Sequence, residues 1–355
     1  MNQPTARRYF AASNSSRGFC NYYGDCFSEA RVDRLYIIKG GPGTGKSHFM
    51  REVARYARAK GYGVTEYDCS SDPSSLDGIL LSAEGKPTIG LLDGTAPHVC
   101  EPTSPGVRDE IINLGAFWNS TRLSGERNTI RHLAARKAEA YARAYACLRA
   151  AGEMDRVADA LIAPTIKEDR LEAMANRILR RVPEGKRFDP IPALRSAVSM
   201  TGRVTHRTYE QEADTLLILD AAYGMGFRVT AHLLRLSEER GTRVLVSYDP
   251  VYPDKVDGLL YPDSGVCVLV GDAEPPENCP TRTVALRRYT DVEALRRVRG
   301  EIRHATALRG TLEEDALRAL ASAGKHHFEL EKIYAAAMDF GAKETFTRQF
   351  CERFI

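Results

Sequence analysis

The chain has 355 residues, enough for two domains of ordinary size, and its 43% hydrophobic and 27% charged residues are typical of a soluble globular protein. The formal net charge of +3 is too small to indicate a nucleic-acid partner. The eight cysteines form no Cys-x-x-Cys pair and no Cys/His spacing suited to zinc, so reduced thiols are favoured over a disulfide framework.

Targeting signals are the next feature of the sequence. The first eight residues are not followed by an apolar segment of signal-peptide length, and no apolar run approaches the length of a membrane span. We therefore expect a cytoplasmic protein with no membrane partner. Residues 10–22 are small and polar around Gly18, which predicts a turn or an edge element and not a helix.

A glycine-rich loop follows the apolar residues 35–38 and precedes an amphipathic segment, residues 48–60. Its spacing, G-x-x-x-x-G-K-S, is the phosphate-binding pattern in the strand–loop–helix context that it requires. Backbone amides of such a loop point at phosphate oxygens, Lys46 is expected to reach the β- and γ-phosphates, and the Ser47 hydroxyl to bind Mg²⁺. The alternative is an ordinary glycine-rich turn. The predicted cofactors are ATP and Mg²⁺, and the predicted binding residues are Gly40, Gly41, Pro42, Gly43, Thr44, Gly45, Lys46, Ser47 and His48.

Three further strands are predicted, over residues 64–68, 78–82 and 88–92. Asp93 follows the last of them and is predicted to organise the Mg²⁺ together with Ser47. The alternative is an aspartate that merely ends a buried strand. No glutamate follows Asp93, which disfavours ATPases with an adjacent Asp-Glu pair and leaves the general base to be supplied from elsewhere.

Two other side chains are candidates for catalysis beside Lys46 and Asp93. Asp68 closes a strand on the side where open α/β sheets bind ligands, so it could orient a water or an acceptor hydroxyl. A turn or capping aspartate is the alternative. His98 could sense the γ-phosphate or act as a base, and a surface loop histidine is the alternative there.

The second half of the sequence repeats the first. Residues 216–228 align without gaps with residues 35–47, and residues 241–248 align with 61–68 after one deletion. In this alignment Phe227 matches Lys46 and Arg228 matches Ser47. A phenylalanine cannot pair with phosphate, and an arginine cannot hold Mg²⁺ through a hydroxyl. The second unit is therefore predicted to be non-catalytic.

Helical segments are predicted after each unit, over residues 128–157 and 166–182 and over residues 292–308 and 312–337. Pro and Gly residues near 183–192 indicate a boundary between a domain of residues 1–186, which carries the intact loop, and a degenerate domain of residues 187–355. The predicted fold class is α/β, with two tandem P-loop NTPase-like units of mainly parallel sheet, each with a helical extension. The first helical segment offers five candidate arginine fingers, with a solvated helix face as the alternative: Arg127, Arg131, Arg136, Arg143 and Arg149.

Several short strings, taken together with the loop, resemble a known family. These are Asp77-Gly78, the string Leu-Leu-Asp-Gly-Thr-Ala-Pro-His at residues 91–98, and Asn-Leu-Gly at residues 113–115. The chain resembles a poorly characterised group of bacterial P-loop ATPases of about this length, built from two tandem nucleoside-triphosphatase-like units. The resemblance covers residues 10–118 and, more weakly, most of the second half. It implies a P-loop fold and ATP binding, and no physiological substrate. Both units of that group can carry an intact loop, and this chain departs from that pattern at Phe227 and Arg228.

These features predict an ATP-binding protein that hydrolyses Mg·ATP or transfers its γ-phosphate to an acceptor that the sequence does not identify. The alternative is a nucleotide-switched binding or regulatory protein, in which nucleotide occupancy changes the shape of the chain and turnover is incidental. The protein partner or small-molecule acceptor stays open in both cases.

Overall fold

The computed structural model describes residues 7–97 and 99–355. Within these residues the first unit is a six-stranded mixed sheet, a small hairpin and flanking helices. Its strands are β1 (Arg7–Phe10), β2 (Ala12–Ser15), β3 (Gly18–Asn21), β4 (Arg34–Lys39), β5 (Gly63–Asp68), β6 (Leu76–Ser82), β7 (Ile89–Asp93) and β8 (Asp109–Asn113). Its helices are α1 (Tyr23–Cys26), α2 (Lys46–Ala59), α3 (Ser120–Gly125), α4 (Arg127–Ile162) and α5 (Glu168–Leu179).

The strand order of the first sheet is β1-β5-β6-β7-β4-β8, and β2 pairs with β3 in the hairpin. Strand β6 runs antiparallel to both of its neighbours, whereas the pairs β1–β5, β7–β4 and β4–β8 are parallel. The sheet is therefore mixed. The connection between β6 and β7 is too short for the crossover that a parallel pair requires, which accounts for the reversal.

The second unit repeats this arrangement. Its sheet has the order β9-β13-β14-β15-β12-β16, which matches the first sheet strand for strand, and β10 and β11 form the corresponding hairpin. The strands are β9 (Asp189–Pro192), β10 (Ser196–Ser199), β11 (Gly202–Thr205), β12 (Thr215–Leu219), β13 (Arg243–Tyr248), β14 (Val256–Tyr261), β15 (Val266–Val270) and β16 (Thr281–Val284). The helices are α6 (Thr208–Gln211), α7 (Met225–Glu239), α8 (Val292–Ala336) and α9 (Phe340–Phe354). The predicted α/β class and the predicted repeat of two units are confirmed.

One helical prediction is wrong. Residues 292–308 and 312–337 were expected to be separate segments, but α8 is a single helix from Val292 to Ala336. Gly310 lies within it, and nothing approaches the position that a Cβ would occupy there. A glycine inside a helix costs only about 1 kcal/mol relative to alanine, which the packing of a long helix readily offsets.

The two sheets lie face to face and share a core. Successive side chains of a strand point to opposite faces, so Leu35 and Ile37 of β4 join the shared core, in which Leu216 and Leu269 represent the second sheet. On the far side of the first sheet, Tyr36 and Ile38 pack against α2 in a separate core. The architecture is thus four layers, with helices outside and two sheets inside.

The terminal helix of each unit packs on the sheet of the other unit. Helix α5 packs against α7, with Leu171 and Leu179 buried in the core of the second sheet. Helix α9 packs against α2, with Phe350 buried in the core of the first sheet. The predicted boundary at residues 186 and 187 lies between β8, the last strand of the first sheet, and β9. Helix α5 precedes this boundary and α9 follows it, and each of them packs on the sheet that lies on the other side of the boundary.

Backbone hydrogen bonds fix this reciprocal arrangement. Phe10 and Leu194 each donate an N–H to the carbonyl of the other, at 2.8 and 2.9 Å, where the two hairpins meet. Two isolated antiparallel β-bridges lie near the ends of the long helices, one between Trp118 and Met338 and the other between Ile166 and Thr290. Within the described ranges, no helix is long and apolar enough to cross a membrane.

Candidate phosphate-binding site

The glycine-rich loop joins the carboxyl end of β4 to the start of α2. Gly43 and Gly45 have φ values of +70° and +79°, a left-handed conformation that glycine adopts without strain, and Gly45 caps α2. The first amides of a helix have no acceptor within the helix and carry the positive end of its dipole. The loop therefore presents backbone donors of the kind that bind anions.

Lys46 folds back over the loop. Its Nζ donates to the carbonyl oxygens of Gly40 and Gly41, at 3.0 and 2.9 Å, and lies 3.6 Å from Asp93 Oδ2. The Thr44 hydroxyl also donates to the Gly41 carbonyl, at 2.9 Å. The Lys46 ammonium is thus hydrogen-bonded to the loop backbone and faces the loop, not bulk solvent.

Asp93 ends β7, next to β4 in the sheet, and is buried. Its Oδ1 accepts hydrogen bonds from the backbone N–H of Thr95, at 2.9 Å, and from the Thr95 hydroxyl. These bonds orient the carboxylate so that Oδ2 faces Lys46. Sequence reasoning missed Thr95, although a Thr two residues after an Asp is the spacing of this local turn.

Ser47 and Asp93 supply the oxygen ligands that Mg²⁺ prefers. The Ser47 Oγ accepts a hydrogen bond from the N–H of Leu76, at 2.9 Å, which fixes its position at the start of α2. In the part of the chain that the structure describes, no group of three or more His, Cys, Asp or Glu side chains could hold a metal ion by itself. A Mg²⁺ held by Ser47 and Asp93 would complete its shell with phosphate oxygens and waters, as nucleotide sites usually do.

Asp68 lies elsewhere, at the contact between the two units. It ends β5 as predicted, and its buried Oδ2 is 2.7 Å from Arg8 Nη2 and 2.7 Å from His206 Nε2. The His206 ring stacks on Phe10 with 4.5 Å between ring centres. These contacts tie Asp68 to the second half of the chain, and a part of Asp68 in catalysis stays a prediction.

The remaining candidates are spread more widely. His98 lies outside the described residues, and His48 is exposed on the first turn of α2. All five candidate arginine fingers lie on α4 and are exposed: Arg127, Arg131, Arg136, Arg143 and Arg149. Lys137, on the same helix, is half-buried, and burial lowers its pKa, while the charge of Glu331 raises it and that of Lys46 lowers it further.

The second half of the chain covers the loop. A Cβ on Gly41 would lie 3.2 Å from the Tyr334 ring, one on Gly43 would lie 2.3 Å from the Glu331 carbonyl oxygen, and one on Gly45 would lie 3.1 Å from Lys343 Nζ. Sequence reasoning missed Glu331, Tyr334 and Lys343. They lie in helices without a local motif, and only the exchange of helices brings them to the loop.

Carboxylates of helix α4 lie beside the corresponding loop of the second unit. Phe227 lies under the ammonium of Lys255, at 5.2 Å, and Lys255 pairs with Asp155 and Asp159 at 2.6 and 2.8 Å. A Cβ on Gly224 would lie 3.2 Å from Asp159 Oδ1. Asp155 is also paired with Arg309, at 2.8 Å, so these carboxylates are neutralised by cations beside a loop that has no lysine at position 227. That the second unit is non-catalytic stays a prediction.

A scan against protein-family models and searches of curated proteins and of solved structures found no significant match.

Proposed function

We propose that the first unit binds Mg·ATP at residues 40–47 and hydrolyses it or transfers its γ-phosphate to an acceptor. The observation that carries the proposal is the position of Lys46, whose Nζ bonds the carbonyls of Gly40 and Gly41 and lies 3.6 Å from Asp93. The loop places one ammonium group, one carboxylate and the amino end of a helix at a single point. That combination suits a phosphate chain with its metal ion.

The residues would act through position and charge. Backbone amides of the loop would hold the phosphate oxygens, and the Lys46 ammonium would turn from the loop carbonyls to the β- and γ-phosphates. Ser47 and Asp93 would hold Mg²⁺, which neutralises charge on the phosphates when bound. Phosphoryl transfer requires little covalent help from a protein, so these groups supply most of what the reaction needs.

A second function, a nucleotide-controlled switch, is favoured by one observation. The loop packs directly against Glu331 and Tyr334 of α8, which belongs to the second half of the chain. A nucleotide that shifts the loop by a fraction of an ångström would press on this helix, because closely packed backbones leave no free space. In this case the bound nucleotide is the signal, and slow hydrolysis of ATP only returns the protein to its nucleotide-free shape.

The experiment is calorimetry with Mg·ATP on the wild type, Lys46→Ala and Phe227→Leu. Because charged hydrogen bonds contribute about 1.5–3 kcal/mol each, we expect Lys46→Ala to weaken binding by about 10- to 100-fold or more. Phe227→Leu changes the matching position of the second loop and should leave the affinity unchanged. An undisturbed melting temperature in each variant would show that both remain folded.

Steady-state turnover separates the two functions. An ATPase is expected to lose most of its phosphate release in Lys46→Ala and in Asp93→Ala. If the wild type binds Mg·ATP but releases phosphate no faster than the two variants, and a screen of small-molecule acceptors shows no transfer of the γ-phosphate, the switch is correct and the enzyme is not. If the wild type binds no Mg·ATP at all, the proposal is wrong.

A further inference from the structure

A buried lysine from the second half of the chain lies at the phosphate loop. Lys343 is in the first turns of α9, and only 2% of its surface is exposed. Its Nζ is 3.1 Å from the position that a Cβ on Gly45 would occupy, and the Phe340 ring is 3.6 Å from the same position. Gly45 is the cap of α2, so the Lys343 ammonium lies at the amino end of that helix.

This is an unfavourable place for a cation when no anion is present. Among the residues that the structure describes, none forms a hydrogen bond or an ion pair with the Lys343 ammonium, whose contact is with the Phe340 ring, 5.8 Å from Nζ to the ring centre. Burial lowers the pKa of Lys343, and the charges of Glu344 and Glu52 only partly oppose that shift. The positive end of the α2 dipole adds to the cost. The charge is therefore retained with only the Phe340 ring and two more distant carboxylates to offset its burial.

The repeat shows that the fold does not need the charge. Gly152 of α4 meets the side chain of Ser16, and Gly324 of α8 meets Met200 in the same way. The alignment of the two long helices that matches Gly152 with Gly324 also matches Ile166 with Met338. Each of these two residues follows a long helix and forms an isolated β-bridge with the other half of the chain. In that alignment the counterpart of Lys343 is Leu171.

Leu171 is completely buried in the core of the second sheet. The same position is therefore apolar in the helix that packs on the sheet with the degenerate loop, and a lysine in the helix that packs on the sheet with the intact loop. Lys46 follows the same rule, since its counterpart is Phe227. Both lysines lie at the intact loop, and apolar residues occupy the two matching positions of the repeat.

We propose that Lys343 is a second ammonium ligand for the phosphates of the bound nucleotide, supplied by the carboxy-terminal half of the chain. This inference rests on the function proposed above. It makes the site a composite of both halves: the loop and Lys46 come from the first, and Lys343 reaches the loop because α9 packs on the sheet of the other unit. Nucleotide binding would thereby hold α9 against α2.

The test compares Lys343→Leu, which introduces the residue of the matching position 171, with Arg348→Met, which removes an exposed charge from the same helix. Because a hydrogen bond between charged groups is strong, calorimetry should show Mg·ATP binding about 10- to 100-fold weaker in Lys343→Leu and unchanged within about twofold in Arg348→Met. Lys343→Arg keeps the charge and should restore most of the affinity.

Thermal unfolding distinguishes a ligand from a structural residue. Without nucleotide, Lys343→Leu should melt at a higher temperature than the wild type, because a buried charge that has no hydrogen bond or ion pair has been removed. With saturating Mg·ATP, its increase in melting temperature should be smaller than that of the wild type. A lysine with a purely structural part would lower the first temperature instead.

The outcomes separate the two proposals. If Mg·ATP binds the wild type and binds Lys46→Ala poorly, but binds Lys343→Leu with wild-type affinity or more tightly, the inference about Lys343 is overturned and the proposed function survives. If Mg·ATP does not bind the wild type, both fail. Should Lys343→Leu not fold, Lys343→Met keeps the length of the side chain and permits the same comparison.

Discussion

The loop glycines Gly43 and Gly224 occupy matching positions in the two units and have nearly equal φ values, +70° and +68°. Their surroundings differ. A Cβ on Gly43 would lie 2.3 Å from the backbone oxygen of Glu331, whereas one on Gly224 would lie 3.2 Å from the side-chain oxygen of Asp159. A side chain can rotate away from a new methyl group, but the backbone of a packed helix cannot.

We therefore expect Gly43→Ala to be the more damaging of the two substitutions. Both variants incur the cost of a left-handed alanine, about 1–2 kcal/mol. Gly43→Ala should lose a further 1–3 kcal/mol or so in the free energy of unfolding, because it forces α8 away from the loop. Urea unfolding measures both values. Equal losses in the two variants would mean that α8 does not pack on the phosphate loop as closely as described.

At this scale the local pattern of the sequence predicts only part of the site. Lys46, Ser47 and Asp93 could be identified from the loop motif and from a strand that ends in an aspartate, and the structure places Lys46 beside Asp93. Lys343 could not be found in this way. Its helix carries no motif, and a lysine on an amphipathic helix ordinarily lies in solvent. Only the packing of α9 on the opposite unit brings Lys343 next to the loop.

The exchanged helix α9 is the element on which the composite site depends. Phe350 anchors it to the first sheet, with its ring 4.9 Å from that of Tyr36 and 5.2 Å from that of Phe49. Phe350 is buried, so its removal leaves a cavity between α9 and α2. Since Lys343 lies on the same helix, loosening of the anchor should also disturb the loop.

Phe350→Ala should lower the free energy of unfolding by about 3–5 kcal/mol, the usual cost of removing a buried phenylalanine. It should also weaken Mg·ATP binding, although Phe350 is not a ligand in this account. Phe328→Ala is the control, because Phe328 is an exposed residue of α8 and its loss should cost no more than about 0.5 kcal/mol. Urea unfolding and calorimetry on the same samples would show whether stability and affinity fall together. Wild-type affinity in a destabilised Phe350→Ala would separate α9 from the site.

The elements themselves were largely predictable, and their partners were not. Apolar runs predicted β4, β5, β6 and β7, and the repeat predicted their counterparts. Strand β8 was missed because only Asp109 and Ile112 of its five residues are buried, which hides the apolar signal of a strand. Helix α9 was missed as an element, because the predicted helical segments end at residue 337. The position of α5 on the opposite sheet was missed because periodicity gives a helix its apolar face but does not say which sheet covers that face.

At the scale of the whole molecule, the two units are alike in topology and unlike in chemistry. The sheets have the same strand order and share one core, and the long helices α4 and α8 run from each unit to the loop of the other. One loop carries Lys46 with Lys343 beside it. The other faces Phe227 and the carboxylate of Asp159. We therefore expect this nearly twofold arrangement to hold a single phosphate site, at the loop that carries Lys46.

The number of nucleotides bound per chain tests this claim most directly. Calorimetric titration of the full chain with Mg·ATP should give a stoichiometry of one, with binding abolished or greatly weakened by Lys46→Ala. A stoichiometry of two would mean that the second loop binds nucleotide in spite of Phe227 and Asp159. No measurable binding would contradict the account as a whole.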